Sequence, residues 1–292
     1  MKAVFKGSAV ALVTPFKNDQ VDYERLDQLC DEQIAAGTDA LVICGTTGEA
    51  SAMPDDEHIS VIREAVRVTA GRVPVIAGTG SNDTRHGAAL SQAAAKAGAD
   101  ALLCVTPYYN KTSQKGLIQH FTATAAAVDL PIILYNVPSR TSLNIQPQTY
   151  AALADVENIV GIKECNLGQV GDIFQLTGDR FAVYSGEDGL VLPLMALGGL
   201  GVISVIANIV PQRTVAMTHA WLNGDIQTAR AEQISLLPLI HACFCDVNPI
   251  PIKAAMNLLH KAVGPCRLPL TDLSEADTRR LQQVLKDYAL LA

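Results

Sequence analysis

Apolar residues in this chain fall in short, near-continuous runs rather than in strict alternation. Eight runs stand out, at 8–13, 40–44, 73–77, 101–105, 131–135, 159–163, 181–185 and 201–206. They are rich in Val, Ile, Leu and Ala, as strands are when both faces are buried, and such strands are usually parallel. Between them, helix-period stretches occupy 23–37, 55–70, 84–98 and 116–128. Two of these close on Gly37 and Gly98, where a helix takes its left-handed exit. Run starts lie roughly 20–33 residues apart, the size of one strand plus one helix.

Eight such units reach to about residue 224, near the length at which parallel strands close into a (β/α)8 or TIM barrel. A doubly wound open sheet is the alternative. It rarely needs eight alternations, and GTGSN at 78–82 lacks the third glycine of a dinucleotide loop. Residues 225–292 carry no strand-like run and predict helices at 225–245, 249–261 and 274–289, the last opening at Ser274. The expected fold is therefore α/β, a TIM barrel over 1–224 that holds the site, with a C-terminal helical extension over 225–292.

Composition narrows the functional classes. At 49% hydrophobic residues the chain is not disordered, and with a formal charge of -7 and no basic run it is not expected to bind nucleic acid. The uncharged stretch 189–210 is long enough to span a bilayer, but Pro193, the Gly198–Leu200–Gly201 turn, Ser204 and Asn208 break it into a short helix and a strand. No membrane partner is expected. At 1–16, Lys2 and Lys6 precede only a short apolar run ending at Thr14-Pro15, unlike a secretory leader. Seven cysteines without a CxxC pair suit a reducing, cytoplasmic setting. His241, Cys243 and Cys245 match no common zinc spacing, so no metal is expected.

Barrel enzymes draw their chemistry from the C-terminal ends of the strands. Here every run is followed by polar or Gly-rich residues. They include GTTGE at 45–49, TPYYN at 106–110, YNVPSRT at 135–141, Lys163-Glu164 and Gly186-Glu187-Asp188. Lys163 ends an apolar run, which places an amine at the barrel mouth. A buried amine deprotonates or pairs, and a deprotonated one is the nucleophile of Schiff-base chemistry. The plainer reading is a lysine paired with a neighbouring carboxylate such as Glu164. The 45–49 loop offers backbone N–H groups and two hydroxyls that suit a carboxylate, or else it is an ordinary turn capping the next helix. Tyr135 either relays protons or fills a barrel layer. Arg140 suits a carboxylate clamp, although surface arginines are common. Tyr108 and Tyr109 suit an interface or a solvent-edge loop.

Taken together and in order, GTTGE, TPYYN, YNVPSRT, GIKE at 161–164 and NPIP at 248–251 resemble the dihydrodipicolinate synthase family. That family lies within the Schiff-base pyruvate aldolases. The resemblance implies that Lys163 forms an imine with pyruvate and that Thr47 binds the pyruvate carboxylate. It implies a proton relay of Thr46, Tyr135 and Tyr109, the last reaching a neighbouring subunit's site. It also implies that Arg140 holds L-aspartate 4-semialdehyde, that Gly186 and Ile203 line the pocket, that no cofactor is needed, and that the assembly is a homotetramer. The family's lysine-inhibition site maps onto Ala50, Ser51, Asp55, His58, Asn82, His86 and Tyr108. Asp55 and His86 depart from its pattern of two histidines and a glutamate, which implies weak or absent inhibition by lysine. Two alternatives are another aldolase of the superfamily, for N-acetylneuraminate or a 2-keto-3-deoxy sugar acid, and a non-catalytic relative.

Overall fold

In the computed structural model, which describes residues 3–291, the eight expected runs become eight parallel strands. They are β1 (Gly7–Ala11), β2 (Ala40–Ile43), β3 (Val75–Gly78), β4 (Ala101–Val105), β5 (Ile132–Asn136), β6 (Ile159–Glu164), β7 (Ala182–Ser185) and β8 (Gly201–Ser204). Each pairs with its sequence neighbour, and β1 pairs with β8 to close the barrel. Met1, Lys2 and Ala292, at the outer ends of the two expected units, lie outside the described residues; so does the start of the segment read against a leader.

The first eight helical segments are α1 (Tyr23–Ala35), α2 (Asp55–Thr69), α3 (Thr84–Lys96), α4 (Gln114–Ala125), α5 (Pro138–Thr141), α6 (Pro147–Leu153), α7 (Val170–Thr177) and α8 (Val191–Ala196). They are followed by α9 (Pro211–Leu222), α10 (Ile226–Cys243), α11 (Ile250–Leu258) and α12 (Glu275–Asp287). Gly37 and Gly98 take φ of 87° and 96° just past α1 and α3, the left-handed exit expected of them. Ser274 accepts from the Asp277 amide and caps α12. No described helix is long and apolar enough to cross a membrane. The 189–210 stretch becomes α8 and β8, as its breakers dictate.

Strand residues alternate between two cores. Ala9, Val42, Ile76, Leu103, Ile133, Tyr135, Tyr184 and Ile203 fill the barrel interior. Val10, Leu41, Val75, Leu102, Leu134, Ile162 and Val202 pack outward under the helices, in a cluster that also takes Leu236, Ile252, Met256 and Leu285 from α10–α12. One end of the interior is plugged by Phe5 stacked on Tyr184, ring centroids 4.2 Å apart, a contact worth ~1 kcal/mol beyond burial. Where β1 meets β8, a Cβ on Gly201 would overlap the Gly7 carbonyl, so closure there needs glycine.

Two features went unforeseen. A two-stranded hairpin, Phe16–Lys17 with Gln20–Val21, turns on Asn18 and Asp19, both at positive φ. A register irregularity between β5 and β6 lets both Ile159 and Ile162 face the outer core. The slip resets the alternation, so that Gly161 and Lys163 face inward.

Candidate active site

Lys163 stands opposite Tyr135 in the β5–β6 register, and its Nζ lies 4.3 Å from the centre of the tyrosine ring. Both side chains are buried, at 5% and 6% exposure. Burial pushes the Lys163 ammonium below its ordinary value. The Cys165 thiol and the Asp188 and Glu187 carboxyls pull partly back, and Arg140 pushes the same way as burial. The result is an amine readier to lose its proton than a surface lysine, as a nucleophile needs. Burial drives the Tyr135 phenol up, so it stays protonated; Thr46 and Arg140 oppose the rise. A protonated phenol beside a nucleophilic amine can give and regain a proton.

Glu164 is not the partner of Lys163. Adjacent strand residues face opposite sides, and Glu164 turns outward. Its oxygens take hydrogen bonds from Asn136 (2.7 Å), the Asn166 amide (2.8 Å), Gln169 (2.9 Å) and Tyr150 (3.0 Å). Four donors satisfy a buried carboxylate without an ammonium. The pairing of Lys163 with Glu164 therefore fails on geometry.

Gly186 leaves room for the lysine. A Cβ there would overlap the Cys165 Sγ and sit 3.2 Å from the Lys163 Cε. Ile203 is fully buried on the inner face of β8, level with Ala9.

The 45–49 loop is a tight turn bracketed by two left-handed residues, Cys44 (φ 56°) and Glu49 (φ 55°). The Gly48 and Glu49 amides fold back on Gly45 and Thr46 carbonyls at 3.1 Å each. The Thr46 and Thr47 amides make no backbone hydrogen bond among the described residues. They are left as donors, the arrangement that binds an anion without a formal charge. The Thr47 hydroxyl accepts from Asn248 Nδ2 at 2.9 Å. Arg140, exposed on α5, donates from Nη2 to the Asn248 carbonyl at 3.1 Å.

The chain thus holds a deprotonatable amine, a buried phenol, an anion-binding turn and a guanidinium at one end of a barrel. Residues 4–288 match the Dihydrodipicolinate synthetase family. The chain belongs to that family. It is 55% identical over 290 residues to the 4-hydroxy-tetrahydrodipicolinate synthase of Acetivibrio thermocellus, covering 99% of each chain. It is 49% identical to the enzyme of that name from Geobacter sulfurreducens, covering 99% of this chain and 100% of the other. The crystal structure of dihydrodipicolinate synthase from Aquifex aeolicus matches with a TM-score of 0.96 at 45% identity, over 98% of this chain and 99% of that one. The enzyme from Cyanidioschyzon merolae, solved with lysine bound, matches with a TM-score of 0.96 at 40% identity, over 99% of this chain and 100% of that one.

Within this dihydrodipicolinate synthetase fold, Tyr109 stands apart from the other site residues. It is 92% exposed and sits at φ 68°, while Tyr108 beside it is 38% exposed. The positions mapped from lysine-inhibited relatives cluster near α2 and α3. Ala50 and Ser51 form the turn that precedes α2. Both Asp55 carboxylate oxygens lie 3.0 Å from His86 Nε2, and His86 Nδ1 lies 2.9 Å from Ser81 Oγ. His58 is buried, with Nε2 2.8 Å from the Gly78 carbonyl, and burial lowers its pKa. The Asn82 carbonyl accepts from Asn110 at 2.9 Å.

Sequence reasoning did not single out Asn248, Cys165 or Lys253 as site neighbours, and it named Glu187 only as part of the 186–188 strand end. Asn248 lay in the quoted NPIP motif, the one signal available for it. Cys243 turns into the core and Cys245 is exposed, so their alternate spacing sends them apart. Among the described residues no group of three or more His, Cys, Asp or Glu is placed to hold a metal ion.

Proposed function

We propose that this chain condenses pyruvate with L-aspartate 4-semialdehyde, giving 4-hydroxy-tetrahydrodipicolinate on the route to diaminopimelate and lysine. The observation that carries the reading is the buried Lys163 amine, in no ion pair among the described residues, set against Tyr135. Family membership and the names of the relatives give it its substrates.

The amine attacks the pyruvate ketone carbon, and loss of water leaves an imine. The imine takes up the electron pair when a methyl proton is removed, giving an enamine, so the carbanion chemistry needs no metal or cofactor. The enamine carbon forms a bond to the semialdehyde's aldehyde carbon, and a proton passes to the new alkoxide. The second substrate's own amine then attacks the imine carbon, closes the ring and frees Lys163. Thr47 and the loop amides hold the pyruvate carboxylate. Thr46, Tyr135 and Tyr109 carry protons, and Arg140 holds the carboxylate of the semialdehyde. Gly186 and Ile203 shape the pocket around the imine.

The exposure of Tyr109 supports its use in a partner's site. The assembly proposed is a homotetramer of two such dimers. Seven free thiols support a reducing cytoplasm. The engagement of Asp55 by His86 supports weak inhibition by lysine, since the carboxylate that could receive the ligand's ammonium is already paired. Half-inhibition by sub-millimolar lysine, an ordinary small-ligand affinity, would contradict that.

The reaction is tested by intact mass after borohydride reduction with pyruvate, followed by addition of the semialdehyde. An adduct on wild type but not on Lys163→Ala, discharged by the semialdehyde, is expected. An adduct indifferent to the semialdehyde would move the assignment to another pyruvate aldolase.

A further inference from the structure

Opposite the 45–49 loop lies a buried ion pair that the chemistry above does not use. Lys253 on α11 donates from Nζ to Glu49 Oε1 at 2.8 Å, with the two side chains 2% and 1% exposed. The same ammonium reaches the Pro265 carbonyl at 2.7 Å and the Thr14 carbonyl at 3.1 Å, and lies 4.5 Å from the Phe16 ring centre. Three donors meet three acceptors. The other Glu49 oxygen accepts from the Arg267 amide at 2.8 Å.

Glu49 is the last residue of the loop and holds a left-handed backbone, φ 55° and ψ 34°. A residue with a Cβ resists that conformation. Its amide also closes the turn on the Thr46 carbonyl at 3.1 Å. Rotation of Glu49 toward ordinary helical angles would therefore open the turn and re-aim Thr46 and Thr47. A carboxylate locked at both oxygens prevents the rotation. Thr14 reinforces the lock, since its hydroxyl donates to the Gly48 carbonyl at 2.7 Å while its own carbonyl accepts from Lys253. Just before α11, Asn248 holds Thr47 from the other side, and its own Oδ1 is buried with no hydrogen-bond partner among the described residues. A buried pair adds little net stability over apolar groups of the same shape, so its effect is read in geometry.

We infer that Lys253 is a positioning residue for pyruvate: through Glu49 it fixes the turn whose Thr47 and amides receive the carboxylate. The C-terminal helices thereby complete the substrate site without touching substrate. The inference rests on the reading of the 45–49 loop as the pyruvate carboxylate site.

The test uses the full chain as Lys253→Met, near in shape and uncharged, and as the double variant Glu49→Gln/Lys253→Met, which strands no buried charge. Pyruvate dependence of borohydride trapping and of turnover is measured for each, with circular dichroism and thermal melting as folding checks. The double variant serves if the single one does not fold. The inference expects the pyruvate KM to rise about tenfold, kcat at saturating pyruvate to fall less than about threefold, and the semialdehyde KM to hold, because a small misplacement weakens one carboxylate contact. A folded variant with an unchanged pyruvate KM overturns it, as does an equal loss of kcat with no change in KM. Failure of the underlying reading looks different: Thr47→Ala then leaves the pyruvate KM of trapping unchanged, whatever the Lys253 variants do.

Discussion

Two strand ends contribute tyrosines to the proposed site, and they are held in opposite ways. At the end of β5, Tyr135 is buried, faces Lys163 across one strand pair and lies against its amine at 4.3 Å. After β4, Tyr109 extends into solvent at 92% exposure on a backbone at φ 68°. The first tyrosine is placed by the barrel's own register and core. The second is left in solvent by its own chain. On the proposed mechanism, imine formation is a property of one barrel, whereas the full proton relay is a property of the assembly.

The largest effect that would sharpen this contrast is at Lys163. Lys163→Ala should abolish the pyruvate adduct and lower kcat by at least about 10⁴-fold, as removal of a covalent nucleophile does. Residual adduct in that variant would point to another amine, and peptide mapping would find it.

Next come the two tyrosines. Tyr109→Phe should lower turnover by about 10²-fold, the scale of general acid–base catalysis, while pyruvate trapping continues at a reduced rate. Tyr135→Phe should slow both. If Tyr109→Phe turns over like wild type, it has no part in the relay and the contrast collapses.

A smaller effect is expected at Gly186. Gly186→Ala should slow trapping by about tenfold, because the new methyl displaces the lysine chain and near-attack geometry tolerates little displacement. Unchanged trapping in a folded variant would mean the lysine chain has another rotamer open to it.

The smallest is the pH response. Burial lowers the Lys163 pKa from its model-compound value of 10.5, so at a given pH more of the amine is neutral than in a surface lysine. The trapping rate should climb with pH and level off at a midpoint below 10.5. Glu187 opposes the lowering, so Glu187→Gln should move the midpoint further down. A midpoint at the ordinary lysine value would show an amine that is not desolvated.

The barrel was legible because strands buried on both faces leave continuous apolar runs, and because helix exits need Gly37 and Gly98. Run edges were less legible. Leu12 and Val13 extend the first apolar run, yet they lie beyond β1, buried in the outer core. The hairpin at 16–21 turns on Asn-Asp rather than Asn-Gly and carries too little alternation to announce itself. Lys163 was found because it interrupts hydrophobic sequence. That Lys163, and not Glu164, is the one facing inward was not readable, because a one-residue slip at Val160 sets which face each side chain takes. Lys253 and Asn248 were hidden for another reason. Their partners Glu49 and Thr47 lie more than 200 positions away, and nothing local in a helical sequence marks a contact of that range.

The central claim is that one barrel supplies the imine and its partner supplies Tyr109. Lys163→Ala and Tyr109→Phe chains are each nearly inactive as pure assemblies under this account. Refolded together in equal amounts, half of the dimers should be hybrids, each with one intact site, restoring about a quarter of the wild-type rate under random pairing. A mixed assembly, verified by mass, that never exceeds the sum of its two parents would contradict the shared site.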